Sequence, residues 1–273
     1  MEQQLRIIVF GAHPDDCDID AGGTAASWAQ SGHHVRFVSV TNGDAGHQSM
    51  AGAALARRRR AETEAAGKAL GVEYIVLDNH DGELLPTLEN RREIIRLIRE
   101  HRPHLVLGPR PNDYHPDHRY TAVLVQDAAY MVTVPNIVAS TEHLAHNPII
   151  MYTSDHFQKP YPFTPDVVID IDATIEKKIA ALSCHVSQFF EWLPYNAGNL
   201  HEVPEGEAQQ QQWLHERMQH RMSRDAARFR TKLIERYGNE RGSQIKFAEA
   251  FELCEYGAPL NTETKQQLFS FGE

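Results

Sequence analysis

Six short apolar runs, separated by longer stretches of helical periodicity, organise the first two thirds of the chain. Residues 5–10 (Leu5-Arg6-Ile7-Ile8-Val9-Phe10), 34–40, 73–78, 104–108, 148–153 and 166–171 are rich in branched and aromatic side chains and read as strands. Between and after them, apolar positions three and four residues apart predict helices over about 21–32, 52–70, 90–101, 118–132 and 173–190. Strands alternating with helices in this way predict an α/β fold with a doubly wound, mostly parallel sheet and right-handed crossovers. Two boundaries carry chemical signatures: Gly71 follows Leu70 as a helix C-cap, and Pro103 stops the helix before His104-Leu105-Val106-Leu107 resumes as a strand.

From about Pro204 the pattern changes. Glu205 to Gln212 is polar, after which Leu214, Met218, Met222, Ala226, Phe229 and Leu233 recur at helical spacing up to Tyr237-Gly238. This predicts a long amphipathic helix whose stripe packs on the sheet or on another subunit. The expected organisation is a single domain over 1–273, with about 204–273 a C-terminal helical extension.

Composition narrows the partners. Lys plus Arg total 27 against 37 for Asp plus Glu, a net charge of −10, which argues against a nucleic-acid binder and for a small-molecule substrate. Cys17, Cys184 and Cys254 have no CxxC spacing and suit a reducing compartment, so the cytoplasm is the expected location. No apolar run has the length of a membrane span.

Chemistry concentrates in two segments that follow strands. Gly11-Ala12-His13-Pro14-Asp15-Asp16 comes directly after the first run, and Asn112-Asp113-Tyr114-His115-Pro116-Asp117-His118 comes after the run at Leu105–Leu107. In a parallel sheet the C-terminal ends of strands share one edge, where ligands bind, so both loops can converge there. Together they supply the imidazoles and carboxylates of a catalytic metal site with an open position, and acid–base groups besides.

These residues, with Ala21-Gly22-Gly23-Thr24, Thr41-Asn42-Gly43-Asp44, Arg59, Glu62, Leu70-Gly71, His185 and Ser187-Gln188, resemble the PIG-L/LmbE family of metal-dependent N-deacetylases. The match runs in family order from residue 13 to residue 188. The resemblance implies a Rossmann-like fold and a hydrolase that removes an acetyl group from an N-acetylated amino sugar or glycoconjugate. It implies zinc as cofactor, with Fe2+ or another divalent metal also suiting two histidines and a carboxylate. Under it His13, Asp16 and His118 are the metal ligands and Asp15 is the general base acting on water. His115 assists the oxyanion and protonates the leaving amine, Asp117 orients His115, and Arg59 and Asp44 meet the substrate. Assembly into trimers or hexamers is implied as well. The alternatives are a metal-dependent amidohydrolase acting on a non-sugar amide and a non-catalytic ligand-binding homologue.

Other features have plainer readings. Gly22-Gly23 predicts close packing of a helix against the first strand, since no GxGxxG spacing is present. Arg57-Arg58-Arg59-Arg60 reads as a solvated helix face with Arg59 turned inward, and Cys17 as a small packed residue. Asp81-Gly82 is a good turn pair, and His80 and His101 read as hydrogen-bonded surface residues. Trp192, Tyr195 and Asn196 either face a sugar or pack under the long helix.

Overall fold

Each of the six apolar runs forms a strand: β1 (Arg6–Gly11), β2 (His34–Thr41), β3 (Glu73–Asn79), β4 (Leu105–Gly108), β5 (Ile149–Thr153) and β6 (Val167–Asp170). The computed structural model describes residues 4–271. Within them a seventh strand, β7 (Ala248–Leu253), completes one sheet in the order β3-β2-β1-β4-β5-β7-β6. The first five strands are mutually parallel, whereas β7 runs antiparallel to both neighbours.

β7 lies in the segment expected to be helical. Its sequence, Ala-Glu-Ala-Phe-Glu-Leu, is made largely of residues with weak strand preference. Pairing on both sides, with Phe251 and Ala250 fully buried, overrides that preference.

Helices cover both faces: α1 (Asp16–Gln30), α2 (Gly52–Leu70), α3 (Leu88–His101), α4 (Pro116–Met131) and α5 (Ile175–Cys184). A π-helix at Ser187–Trp192 leads into α6 (Leu193–Asn196). α7 (Glu207–Arg228), α8 (Arg230–Tyr237), α9 (Asn239–Gln244) and α10 (Thr262–Phe269) follow. Strand parity divides the core. Ile7, Val9, Phe37, Leu105 and Leu107 pack with α1, α2 and α5, while Ile8, Phe10, Val38 and Val106 pack with α3 and α4.

The predicted C-terminal stripe is consumed within the chain. Leu214, Met218 and Met222 join the first cluster, Ala226, Phe229 and Leu233 form a third beneath β6 and β7, and the helix breaks at Phe229. Gly71 is the left-handed C-cap of α2 (φ 79°). His101 is buried rather than on the surface: its Nε2 lies 2.9 Å from the Ile7 carbonyl, and burial together with Arg36 holds its pKa down to about 4.

α1 is tied to the far side of the sheet. Glu249 of β7 accepts from the amides of Gly23 and Thr24 at 2.8 Å each and from Lys178 Nζ at 2.5 Å, and the same ammonium donates to the Ile19 carbonyl at 2.6 Å. Both side chains are almost fully buried. The glycine pair of α1 serves this docking and not contact with β1: a Cβ on Gly23 would stand 2.9 Å from Ile171, and one on Gly22 would stand 3.3 Å from Lys178. Glu249→Leu strips a buried ammonium and two amides of their acceptor, so a loss of about 3–5 kcal/mol is expected in urea unfolding. Lys178→Met combined with Glu249→Leu is expected to recover part of that loss, because an apolar pair removes the stranded charge.

Candidate metal centre and active site

β1 and β4 are neighbours whose following helices lie on opposite faces, so the crevice between them is the sheet's topological switch point. The chain leaves β1 through His13-Pro14-Asp15 and enters α1 at Asp16. It leaves β4 through residues 109–115 and enters α4 at Pro116, with His115 as N-cap. Both helix N-termini therefore open on the same crevice, and the sequence segments expected to converge do so.

Three donor atoms meet there. His13 Nδ1 is 3.2 Å from His118 Nε2 and 3.5 Å from Asp16 Oδ2, and His118 Nε2 is 3.4 Å from Asp16 Oδ2. Ligands held about 2.0–2.1 Å from a tetrahedral ion stand roughly 3.3 Å apart, so the triangle has the dimensions of three corners of such a site. His115 also brings a ring nitrogen within 4.8 Å of the two histidines. Its Nδ1 accepts from the Asp117 amide at 3.2 Å, which makes Nε2 the protonated nitrogen.

Carboxylates back both metal-facing imidazoles. His13 Nε2 is 3.2 Å from Asp117 Oδ2 and 3.2 Å from Asp81 Oδ1, and His118 Nδ1 is 3.1 Å from Asp113 Oδ2. Such partners fix the tautomer and strengthen a metal-binding nitrogen. Burial lowers the basicity of both imidazoles, but the facing carboxylates outweigh it. His118 is held up at about 9 by Asp16 and Asp113, and His13 is also raised well above its ordinary value. Asp16 lies well below the usual carboxylate range because His118 and His13 overcome the effect of its burial.

Asp15, 6% exposed, points elsewhere. Burial first and the Asp16 charge second push its pKa up to about 6, against the pull of Arg59, His185 and His13. Its backbone (φ 157°, ψ −24°) lies outside the regions an L-residue ordinarily occupies. Arg59 is inward and 2% exposed, and its Nη2 donates to the Gly46 carbonyl at 2.5 Å. A cavity of about 840 Å³ joins Asp15, Asp16, His13, His115, His118, Arg59 and Asp81.

Two sequence expectations are redirected. Asp117's carboxylate bonds to His13 Nε2 and to the amides of Gly82 and Leu84, so it braces His13; its link to His115 is through its own amide. Asp44, expected against substrate, spends its carboxylate on His80 Nδ1 (2.6 Å) and the Asp81 amide (3.1 Å), which fixes the loop that carries Asp81. Asp81 and Asp113 received no role from the sequence, although both lie in loops on the ligand edge, where carboxylates near histidines are a usable signal. Cys17 is buried and donates to the Val9 carbonyl, as a packed residue does.

Comparisons with known proteins give the chain's family. The family model for PIG-L, GlcNAc-PI de-N-acetylase, matches residues 8–129. The diacetylchitobiose deacetylase of Thermococcus kodakarensis is 34% identical over 201 residues, which cover 70% of this chain and 74% of that protein. The chain belongs to the PIG-L family. The N,N'-diacetylchitobiose deacetylase of Pyrococcus horikoshii superimposes with a TM-score of 0.66 at 25% identity, over 92% of this chain and 84% of that one. The 4-carboxy-2-hydroxymuconate hydratase of Pseudomonas putida KT2440 superimposes with a TM-score of 0.73 at 21% identity, over 94% and 99% of the two chains, and shares the fold.

Facing carboxylates raise the proton affinity of both His13 and His118, so a dication bound to their ring nitrogens competes with protons. Calorimetric titration at pH 7 in buffers of differing ionisation enthalpy is expected to show net proton release on metal binding, with apparent affinity that rises with pH. Binding that releases no proton overturns the assignment of the two imidazoles.

Proposed function

We propose that the chain is a metal-dependent N-deacetylase that hydrolyses the acetamide of an N-acetylated amino sugar or glycoconjugate. The observation that carries this reading is the triangle of His13, Asp16 and His118 with the separately buried carboxylate of Asp15 beside it. The fit of the donor set supports a divalent cation, and two imidazoles with one carboxylate favour zinc, with Fe2+ as the second choice. When bound, that cation supplies Lewis acidity toward the acetamide carbonyl and toward water.

The chain's own groups do the rest. Asp15, unprotonated, takes the proton of a water whose oxygen forms the new bond to the acyl carbon. His115 donates from Nε2 to the carbonyl oxygen as it gains charge. Its pKa is lowered by burial and then by His13 and His118, so it acts as a neutral donor. The proton held by Asp15, and not one from His115 as the resemblance implied, passes to the nitrogen as the C–N bond breaks, because the neutral His115 donates to the oxyanion; acetate and the amine leave. Arg59, buried beside Asp15 and opening on the cavity, is placed to meet the substrate.

The three cysteines are free, and among the described residues no helix is long and apolar enough to cross a membrane. Free thiols suit a reducing compartment, which supports the cytoplasm as the enzyme's location.

Acetate release from a panel of N-acetylated amino sugars tests the reading directly. Asp15→Asn is expected to abolish turnover while metal content stays at the wild-type level, and His115→Ala to lower kcat by about 10²–10³. In the wild type kcat/KM is expected to fall with decreasing pH along a limb no higher than about 6, the Asp15 value set by burial and Asp16, because only the unprotonated carboxylate accepts the proton. Acetate release by Asp15→Asn at the wild-type rate removes the mechanism.

A further inference from the structure

Residues 187–192 form a π-helix, a geometry met mostly at functional sites. With somewhat more than four residues per turn it brings Gln188 and Trp192 to one side, and both line the cavity. Gln188 lies against Arg59 and is buried. Trp192 is half-buried, and the same cavity is lined by Tyr114, whose ring stands edge-on to His115 and His118 at 5.8 and 5.9 Å between centroids.

Trp192 is held from three directions. The preceding residue, Glu191, takes both Nη atoms of Arg58 (2.7 and 2.6 Å) and lies 2.7 Å from His47 Nε2, which ties this end of the π-helix to α2 and to the loop after β2. One indole face stacks on Tyr195, with centroids 6.0 Å apart and planes at 27°. Its Nε1 edge faces Gly46, where a Cβ would stand 3.7 Å away. Arg59 holds the carbonyl of the same glycine, so the guanidinium beside Asp15 and the indole at the rim share one brace.

Of the chain's three tryptophans, Trp28 is fully buried under α10 and Trp213 packs against Phe190, so only Trp192 lines the cavity. A rigid indole beside a polar, carboxylate-rich site has the chemistry that receives the C–H face of a sugar ring, whose hydroxyls point sideways to polar neighbours.

We propose that Trp192 is the stacking platform for the pyranose ring of the substrate, fixed by the Arg58–Glu191–His47 clamp, and that it selects cyclic amino sugars over acyclic acetamides. This rests on the reading of the cavity as an amino-sugar site. It adds the residue that recognises the ring.

Binding separates the two claims. In the metal-loaded Asp15→Asn protein, calorimetry with N,N'-diacetylchitobiose is expected to give a Kd at least about tenfold weaker when Trp192→Ala is added, and within about threefold when Trp192→Phe is added. Metal content is expected to be unchanged in both. In the active enzyme, Trp192→Ala is expected to raise KM for the disaccharide, with kcat within about twofold and with hydrolysis of an acyclic acetamide such as N-acetylglycine amide unaltered. Unchanged disaccharide affinity in Trp192→Ala overturns the proposal, as does an equal loss with Ala and Phe or failure of the parent protein to bind the disaccharide. Disaccharide binding that depends on Trp192, without acetate release by the wild type, leaves the platform standing and removes the deacetylase reading.

Discussion

The site depends on a crowding of imidazoles and carboxylates in the crevice between β1 and β4. His13 Nδ1 and His118 Nε2 stand 3.2 Å apart, a separation at which two imidazolium charges repel by about 5 kcal/mol at an effective dielectric constant near 20. Four carboxylates answer that repulsion: Asp16 between the rings, Asp81 and Asp117 behind one, and Asp113 behind the other. On the proposed reading, His13, Asp16 and His118 would hold a dication, and each imidazole would keep its outer N–H for the carboxylate behind it. The architecture follows from holding these groups in place against one another.

Much of the remaining polar structure serves that end. Asp117 accepts from the Gly82 and Leu84 amides, so the loop after β3 is drawn onto the ligand His13. Asp44 holds the same loop from the other side through His80 and Asp81. Arg110, with its side chain fully buried, grips Asp155 through two 2.6 Å bonds and also donates to the Phe157 and Tyr161 carbonyls, so the loop after β5 is drawn over the cavity. These arginine and aspartate side chains are spent on backbone groups and loops, and that positions the few residues that face the substrate. The cluster Arg57–Arg60 divides the same way: Arg58 clamps the π-helix, Arg59 enters the cavity, and the outer two face solvent.

How much of this was legible in the sequence depended on whether the signal was local. Strands such as Ile7–Phe10 and Leu105–Leu107 announce themselves because both faces are buried and every position is apolar. β7 does not, because Ala248, Glu249 and Ala250 gain their conformation from partners far away in sequence, and Glu249 reads as a surface residue until Lys178 and the α1 amides surround it. The convergence of His13, Asp16 and His118 was readable from two motifs with a family resemblance. Asp81 and Asp113 were not, since their partners are imidazole nitrogens brought to them only by the folded loops. Asp117 and Asp44 show the same limit from the other side: a motif names the carboxylate, and only tertiary contacts choose its partner.

Asp15 and Asp16 carry this point to the chemistry. Adjacent carboxylates in an ordinary helical turn would face neighbouring directions and share one environment. Here Asp16 opens α1 and its Oδ2 accepts from the amides of Ala12 (2.9 Å) and His13 (2.8 Å), which curls the loop back on itself. Asp15 absorbs the resulting bend at φ 157°, an arrangement that costs on the order of 1–3 kcal/mol. In return the two side chains separate. Asp16 is driven down by the imidazoles and stays anionic for a cation, whereas Asp15 is buried and driven up to about 6, near the range where a carboxylate both accepts and releases a proton. The strained residue between β1 and α1 thus sets the two carboxylates apart, Asp16 beside the imidazoles and Asp15 buried next to Arg59.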